Sequence, residues 1–447
     1  MEQWFEKVRA YIQAHRQEMV EDLSELVWFP SVAKHGEDGL PFGKAVDDAL
    51  VAATRIYRKY GLPMEVSEDR KYALAVLEGE GDGIGVFAHA DVVPVNDDWI
   101  KTKPFEPLEE NGVLYGRGVQ DNKCAIVSML YAIRALQAAG VTLKSRITLY
   151  VGGCEEAGMQ DMMAFVERER MPAVSVVPDG SFPVGIGEKG ILRVFCRSKD
   201  ALTDVVKLEG GKAFNTVLDH VEVALCSGET FTVDGVPAHA SRPKSGVNAG
   251  GKAVQQLLDR VCEGDKKILA AYAHAIEDVF GGNLNIASEG DFGKLTCANG
   301  IARLEEGHLV FTLDIRYGTE LDSAECENRL RAALADLGFT MEIKEHKHGF
   351  QRDPDAPELQ ILLDICRTLF DRPEAKPIRM GGGTYARWLK NAWSIDAAPG
   401  SGPEGLPKGH GGVHQSDEAL RIDTFLKGAE TLALALARLD AHLQKKA

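Results

Sequence analysis

The strongest constraint on this chain is a repeated change of hydrophobic period. "GIGVFAHAD" (83–91), "SRITLYVGG" (145–153) and "AVSVVPDG" (173–180) are short apolar runs of strand length. Between the first two lies "CAIVSMLYAIRALQAAG", where Ile126, Met129, Leu130, Ile133 and Leu136 share one helical face and Gly140 suits the C-terminal end. Strand–helix–strand in this rhythm predicts an α/β fold with a doubly wound, mostly parallel sheet. From about residue 191 the texture changes. "ILRVFCRS", "VEVALCSGETFTVDG" and "LVFTLDIRY" read as strands of a more antiparallel layer, broken by the helix "AGGKAVQQLLDRV" with Asn248 as its N-cap. This predicts an inserted α+β domain over 191–350, with 1–190 and 351–447 forming the first domain. The last part resumes with the helices "PELQILLDICRTLF" and "IDTFLKGAETLALALARL", separated by a Gly/Pro-rich loop at 399–412.

A chain of 447 residues is too long for one ordinary core, which agrees with two domains. Its net charge of −16 argues against nucleic acid or an anionic membrane as partner. The start, "MEQWFEKVRAYIQAHRQEMVEDL", lacks an uninterrupted apolar core and a cleavage site and does not read as a signal peptide. Trp4, Phe5, Val8, Tyr11 and Ile12 instead mark a surface helix packed on the core. No stretch has the length of a membrane span. The eight cysteines form no C-x-x-C pair, so thiolate zinc and a disulfide framework are not expected. A cytoplasmic location is the simplest reading.

In parallel α/β sheets ligands gather at the carboxyl ends of strands. Here three strands end in "HAD" (His89, Asp91), "CEE" (Glu155, Glu156) and "PDG" (Asp179). Asp121 opens the helix after "LYGRGVQD", and His414 follows the flexible loop. Two imidazoles and several carboxylates suit zinc, with manganese or cobalt as substitutes. Such a cluster repels itself unless cations occupy it. A two-metal site needs a bridging carboxylate, and it needs a base that is not itself a ligand. Adjacent residues of extended chain point to opposite faces. One glutamate of the pair can therefore bind metal while its neighbour takes a proton.

The ordered set "HADVVPV", "LYGRGVQDNK", "CEEAG", "VPDG" with "GEKG", "HASRPKSGVNA", "DIRY", "GGGTYAR" and "HQSDE" spans residues 89–418. It resembles the zinc-dependent exopeptidases and amidohydrolases that include carboxypeptidase G, succinyl-diaminopimelate desuccinylase, the aminoacylases and the bacterial dipeptidase V group. The resemblance implies a catalytic domain (1–190 and 351–447) with an inserted lid domain. It assigns His89 and Asp179 to one zinc, Glu156 and His414 to the other, and Asp121 to both, giving two zinc ions per subunit. Asp91 resembles the carboxylate that orients His89, Glu155 the general base, and the peptide after Asp121 is cis in relatives. His239 resembles the lid histidine that stabilises the oxyanion. Asn215 and Arg316 match substrate-binding lid positions of the dipeptidase branch, the alternatives being a turn residue and a structural ion pair. Gly382 and Gly383 offer backbone to the substrate, and Arg387 a second anion contact.

Two departures stand out: Cys124, where relatives often have glycine, and Cys154, directly before the glutamate pair. Cys154 reads as a small buried hydrophobe or, less simply, as a thiolate ligand. His410 reads as a solvated bystander or a substrate contact, and His346 and His348 as surface residues of a strand or loop. The long insert, with "FNTV" and "GGGTYAR" alongside, resembles the dipeptidase branch of this family, which implies a dipeptidase or short-peptide exopeptidase acting on free amines, monomeric, with a dimer as the alternative. The runner-up is an N-acyl amino acid deacylase or desuccinylase, and the reading from another class is a silent binding protein that keeps the fold.

Overall fold

The structure, a computed structural model, describes residues 2–400 and 405–446. Part of the Gly/Pro-rich loop, 401–404, lies outside the described residues. The chain forms two compact units: residues 1–186, 352–378 and 383–447, and residues 187–351 with 379–382.

The first unit is organised by β1 (Met64–Val66), β2 (Tyr72–Leu77), β3 (Glu80–His89), α1 (Lys123–Ala138), β4 (Ser145–Gly152), α2 (Gln160–Arg168), β5 (Val174–Val177), β6 (Val184–Glu188), β7 (Ala392–Ile395) and α3 (Ile422–Lys446). The strand order is β1-β2-β4-β3-β5-β7-β6. The four central strands are parallel, β3 lying between β4 and β5 with β7 beyond β5. The edge pairings, β1 with β2, β2 with β4 and β7 with β6, are antiparallel. The sheet therefore has a parallel centre, as the rhythm predicts, and antiparallel edges. The links from β1 to β2 and from β2 to β3 are too short for the crossover that a parallel partner requires.

Alternation along the strands gives the sheet two apolar faces. Ile84, Val86 and Ala88 of β3, with Ile147, Leu149 and Val151 of β4, join the main core with residues of α1 and α3. Phe87 and Tyr150 point the other way and meet Phe165 of α2, with ring centroids 5.2 and 5.1 Å apart. Helices thus cover both faces, as a doubly wound sheet requires. α1 is buried on nearly every side, which explains its continuous apolar sequence. Gly140 has φ +77° just past its end, the left-handed conformation that closes helices. The amino-terminal segment forms two helices, Phe5–Ala14 and Arg16–Val27, with Phe5, Val8 and Ile12 buried.

The second unit is α+β with its own core. Its strand Gly190–Ala201 lies antiparallel between His308–Tyr317 and Phe339–Lys347. The helix Ala249–Leu257 is capped by the Asn248 side chain, which accepts from the Gly251 amide at 3.2 Å. It stops at Leu257, short of the predicted Val261, and a second helix, Glu263–Glu277, follows.

Candidate metal centre

Parallel pairing places the ends of β3, β4 and β5 at one edge of the sheet, with His89 opposite Gly152 in the register. His89 is the last residue of β3, Glu155 and Glu156 follow β4, and Asp179 follows β5. Asp121 immediately precedes the amino end of α1.

These side chains form two triads that share Asp121. His89, Asp121 and Asp179 form one, and Asp121, Glu156 and His414 the other, the potential ligand atoms of each lying within 4.8 Å of one another. The sharing is atom by atom. Asp121 Oδ1 is 3.1 Å from His89 Nε2, and Asp121 Oδ2 is 2.9 Å from His414 Nε2. Asp179 Oδ2 lies 3.7 Å from His89 Nε2, and Glu156 Oε1 lies 2.8 Å from His414 Nε2. Glu155 is buried beside them, and its Oε1 has no hydrogen-bond partner among the described residues. Such an orphaned buried oxygen costs free energy unless something else meets it.

The electrostatics of the cluster call for a cation. Burial and the charge of Asp179 push the Glu155 carboxyl well above the usual range. Burial and Asp121 raise Glu156, and raise Asp179 to about 7. Asp121 goes the other way: hydrogen bonds from His414 and His89 outweigh its burial and hold it low. Burial opposes charge on both imidazoles, yet the surrounding carboxylates raise His89 well above its ordinary value and His414 to about 11. With protein groups alone, protons on the histidines balance the carboxylates. Divalent ions would supply that charge instead and displace those protons. The donor set, two imidazoles with three carboxylates, fits borderline cations such as zinc.

Residues 85–438 match the profile of "Peptidase family M20/M25/M40". The chain belongs to this family. A Staphylococcus aureus relative named "Putative dipeptidase" is 26% identical over 88% of this chain and 92% of its own. "Putative dipeptidase YtjP" of Bacillus subtilis is also 26% identical, over 95% of this chain and 97% of its own. Among solved structures, human carnosine dipeptidase 1 has a TM-score of 0.67 at 15% identity, covering 98% of this chain and 99% of that one. The di-peptidase Dug1p of Saccharomyces cerevisiae has a TM-score of 0.64 at 13% identity, with 98% of each chain covered. At these identities the structures speak for the fold.

In this M20-family chain a second layer of buried carboxylates fixes the cluster. Asp91 accepts from the Glu155 and Glu156 amides, both at 3.0 Å. The Nδ1 atom of His89 is 2.9 Å from the Asp91 carbonyl and 3.4 Å from its carboxylate. A proton on Nδ1 directed at Asp91 leaves Nε2 facing Asp121, the orientation a metal-binding imidazole needs. The Asp121–Asn122 peptide is cis. Asn122 donates to the Pro178 carbonyl at 2.6 Å.

Sequence reasoning assigned no role to Asp161, Tyr385, Arg117 or Glu418. Asp161 accepts from the Gly153 and Cys154 amides at 2.8 and 3.0 Å and from the Tyr385 hydroxyl, fixing the glutamate turn from below. A Cβ at Gly152 would fall 1.9 Å from that hydroxyl, so only glycine fits between the turn and Tyr385. The available signals were Tyr385 inside "GGGTYAR" and Glu418 closing "HQSDE".

Cys154 and Cys124 are both buried, and burial raises both thiols, so each is held as a neutral thiol. The His410 Nδ1 atom lies 2.5 Å from Asp417. A third group, Asp204, Cys262 and Asp265, is of another kind. Asp265 already accepts from the Thr203, Asp204 and Val205 amides, so it caps a turn.

The other predicted positions divide between the units. Within the second, Thr216 bridges to His239 and the Ala240 amide donates to the Asn215 carbonyl at 2.9 Å, which sets Asn215 and His239 side by side. His239 Nδ1 lies 2.7 Å from Ser241 Oγ. Arg316 is buried. Its Nε and Nη2 donate to Asp314 at 2.5 and 3.0 Å and its Nη1 to the Gly381 carbonyl at 3.3 Å. That is the structural ion pair of the alternative reading, although it engages three of the five N–H groups. A Cβ at Gly382 would meet nothing within 4 Å. In the first unit, Arg387 folds over Gly383, where a Cβ would fall 2.4 Å from Nη2.

Proposed function

We propose that this protein is a metal-dependent dipeptidase that uses two zinc ions per subunit, with manganese or cobalt able to substitute. The observation that carries the reading is the pair of triads sharing Asp121, one oxygen to each, with the unpartnered Glu155 oxygen beside them. The dipeptidase names of its relatives support the substrate class. His89, Asp179, Glu156 and His414 would hold the ions, with Asp121 shared. When bound, two such ions lower the pKa of a water and polarise the amide carbonyl. Glu155 takes the proton from the attacking water on its carboxylate and delivers it to the leaving amine nitrogen. Asp91 keeps both the His89 ring and the Glu155 amide in place throughout. His239 is assigned as donor to the developing oxyanion, and Asn215, Arg316, Gly382, Gly383 and Arg387 as contacts to the ends of the dipeptide. We place the enzyme in the cytoplasm as a monomer. No helix among the described residues is long and apolar enough to cross a membrane.

The test is hydrolysis of free dipeptides, tripeptides and amine-acylated dipeptides by zinc- or manganese-loaded protein, with metal content measured in parallel. Cleavage confined to free dipeptides is the expected result. Preference for the acylated compounds would make the protein a deacylase of the same family. Two bound ions without any hydrolysis would favour a binding protein.

A further inference from the structure

The two loops that bring Asp121 and His414 together are joined by one short ladder and one buried side chain. Val113–Tyr115 pairs antiparallel with Ala419–Arg421, Tyr115 opposite Ala419. The first strand leads into the Asp121 loop and the second leaves the His414 loop. Glu418 sits at the junction with a fully buried carboxylate. Its Oε2 accepts from Arg117 Nη1 at 2.7 Å and the Gly118 amide at 3.1 Å. Its Oε1 accepts from the amides of Gln120 at 2.9 Å and Asp121 at 3.0 Å. Its own carbonyl accepts from the Gly116 amide at 3.0 Å.

We infer that Glu418 is a positioning residue that sets the shared Asp121 carboxylate between the two halves of the site. This inference rests on the two-ion reading above. The main-chain segment 116–121 has no helix or sheet to hold its amides, and Glu418 gathers three of them onto one anion. A charged acceptor makes each of these bonds stronger than a neutral one, and the Arg117 guanidinium keeps that anion compensated away from water. Because Glu418 stands four residues after His414, the same anchor fixes where the His414 loop begins its return. Moving this carboxylate therefore shifts the ligand that both ions share, while the ligands at the ends of β3 and β5 stay on the sheet.

The experiment is zinc titration of the metal-free full-length chain against a chromophoric chelator, for wild type, Glu418→Gln and Glu418→Asp. Melting temperatures and kcat and KM for a cleaved dipeptide are measured alongside. Glu418→Asp keeps a buried negative charge for Arg117 but pulls the carboxylate back by one methylene from the Gly118, Gln120 and Asp121 amides, so it separates loss of charge from loss of position. The expected result is a folded Glu418→Asp protein whose weaker-bound zinc is released about 10–100-fold more readily, with kcat lowered and KM little changed. Wild-type affinity for both ions in Glu418→Asp, with only a lower melting temperature, would overturn the inference whatever Glu418→Gln does. A wild-type chain that takes up fewer than two zinc ions would instead overturn the two-ion reading, and this inference with it.

Discussion

The two halves of the cluster use the same residue types but are built differently. The His89 half stands on the sheet: His89 ends a central strand, its side chain is 1% exposed, and Asp179 follows the neighbouring parallel strand. The other half takes Glu156 from the end of β4 but its imidazole, His414, from a loop. The His414 side chain is 39% exposed, and His414 and Asp417 both adopt positive φ, +63° and +52°. Non-glycine residues held there store strain that the surroundings must offset, and here Asp417 accepts from the Ile100 and Lys101 amides while Glu418 grips the Asp121 loop. A ligand at a strand end is positioned by the core, whereas a ligand on a loop has to be positioned by further polar groups.

The largest test asks whether the halves act as one unit. Glu155→Gln is expected to lower kcat by about 10²–10⁴-fold while metal analysis still finds both ions. Loss of either ion in that variant would make Glu155 a ligand rather than the base. Next, His89→Ala and His414→Ala should separate in the metal-free protein. Removing the buried His89 leaves Asp179 without its imidazole and Asp121 with His414 alone, and denaturant unfolding should register about 3–5 kcal/mol. Removing His414, whose own side chain is 39% exposed, should cost less, because water reaches the Glu156 and Asp121 carboxylates it leaves behind. Equal costs would erase the distinction between sheet-built and loop-built halves. Dialysis against graded chelator should then empty the site in two steps, with a plateau at one ion per chain that His414→Ala reproduces. The smallest effect is expected for Cys154→Ser, about 1–2 kcal/mol for a hydroxyl buried in place of the thiol, with both zinc affinities unchanged. A lost ion in that variant would revive the thiolate reading.

The same contrast explains what the sequence made legible. The α/β class follows from apolar runs and one helical face, and the strand-end positions of His89, Glu155, Glu156 and Asp179 follow from the fold class. The antiparallel edges leave no mark on strand composition, because link length decides them. The bridging role of Asp121 came only by way of a family resemblance, and no local pattern encodes which of its oxygens faces which ring. Glu418 was passed over because its partners lie on a loop distant in sequence, and the strands that bring them together are three residues long and show no period. Asp161 under the glutamate turn was hidden likewise: its link to Tyr385 spans 224 residues.

The ladder between Val113–Tyr115 and Ala419–Arg421 also bears on how the molecule is put together in time. His89, Asp121 and Asp179 come from one continuous segment, β3 through α1, β4 and α2 to β5, whose contacts close shorter loops. The bond from the Asp121 amide to Glu418 spans 297 residues and closes a far longer loop, with the entropy cost that grows with loop length. One ion-binding half can therefore take shape as soon as the first domain's central strands pair. The other joins the middle of the chain to the stretch before its carboxyl-terminal helix, so completing the set of ligands carries the larger share of the chain's loop-closure entropy.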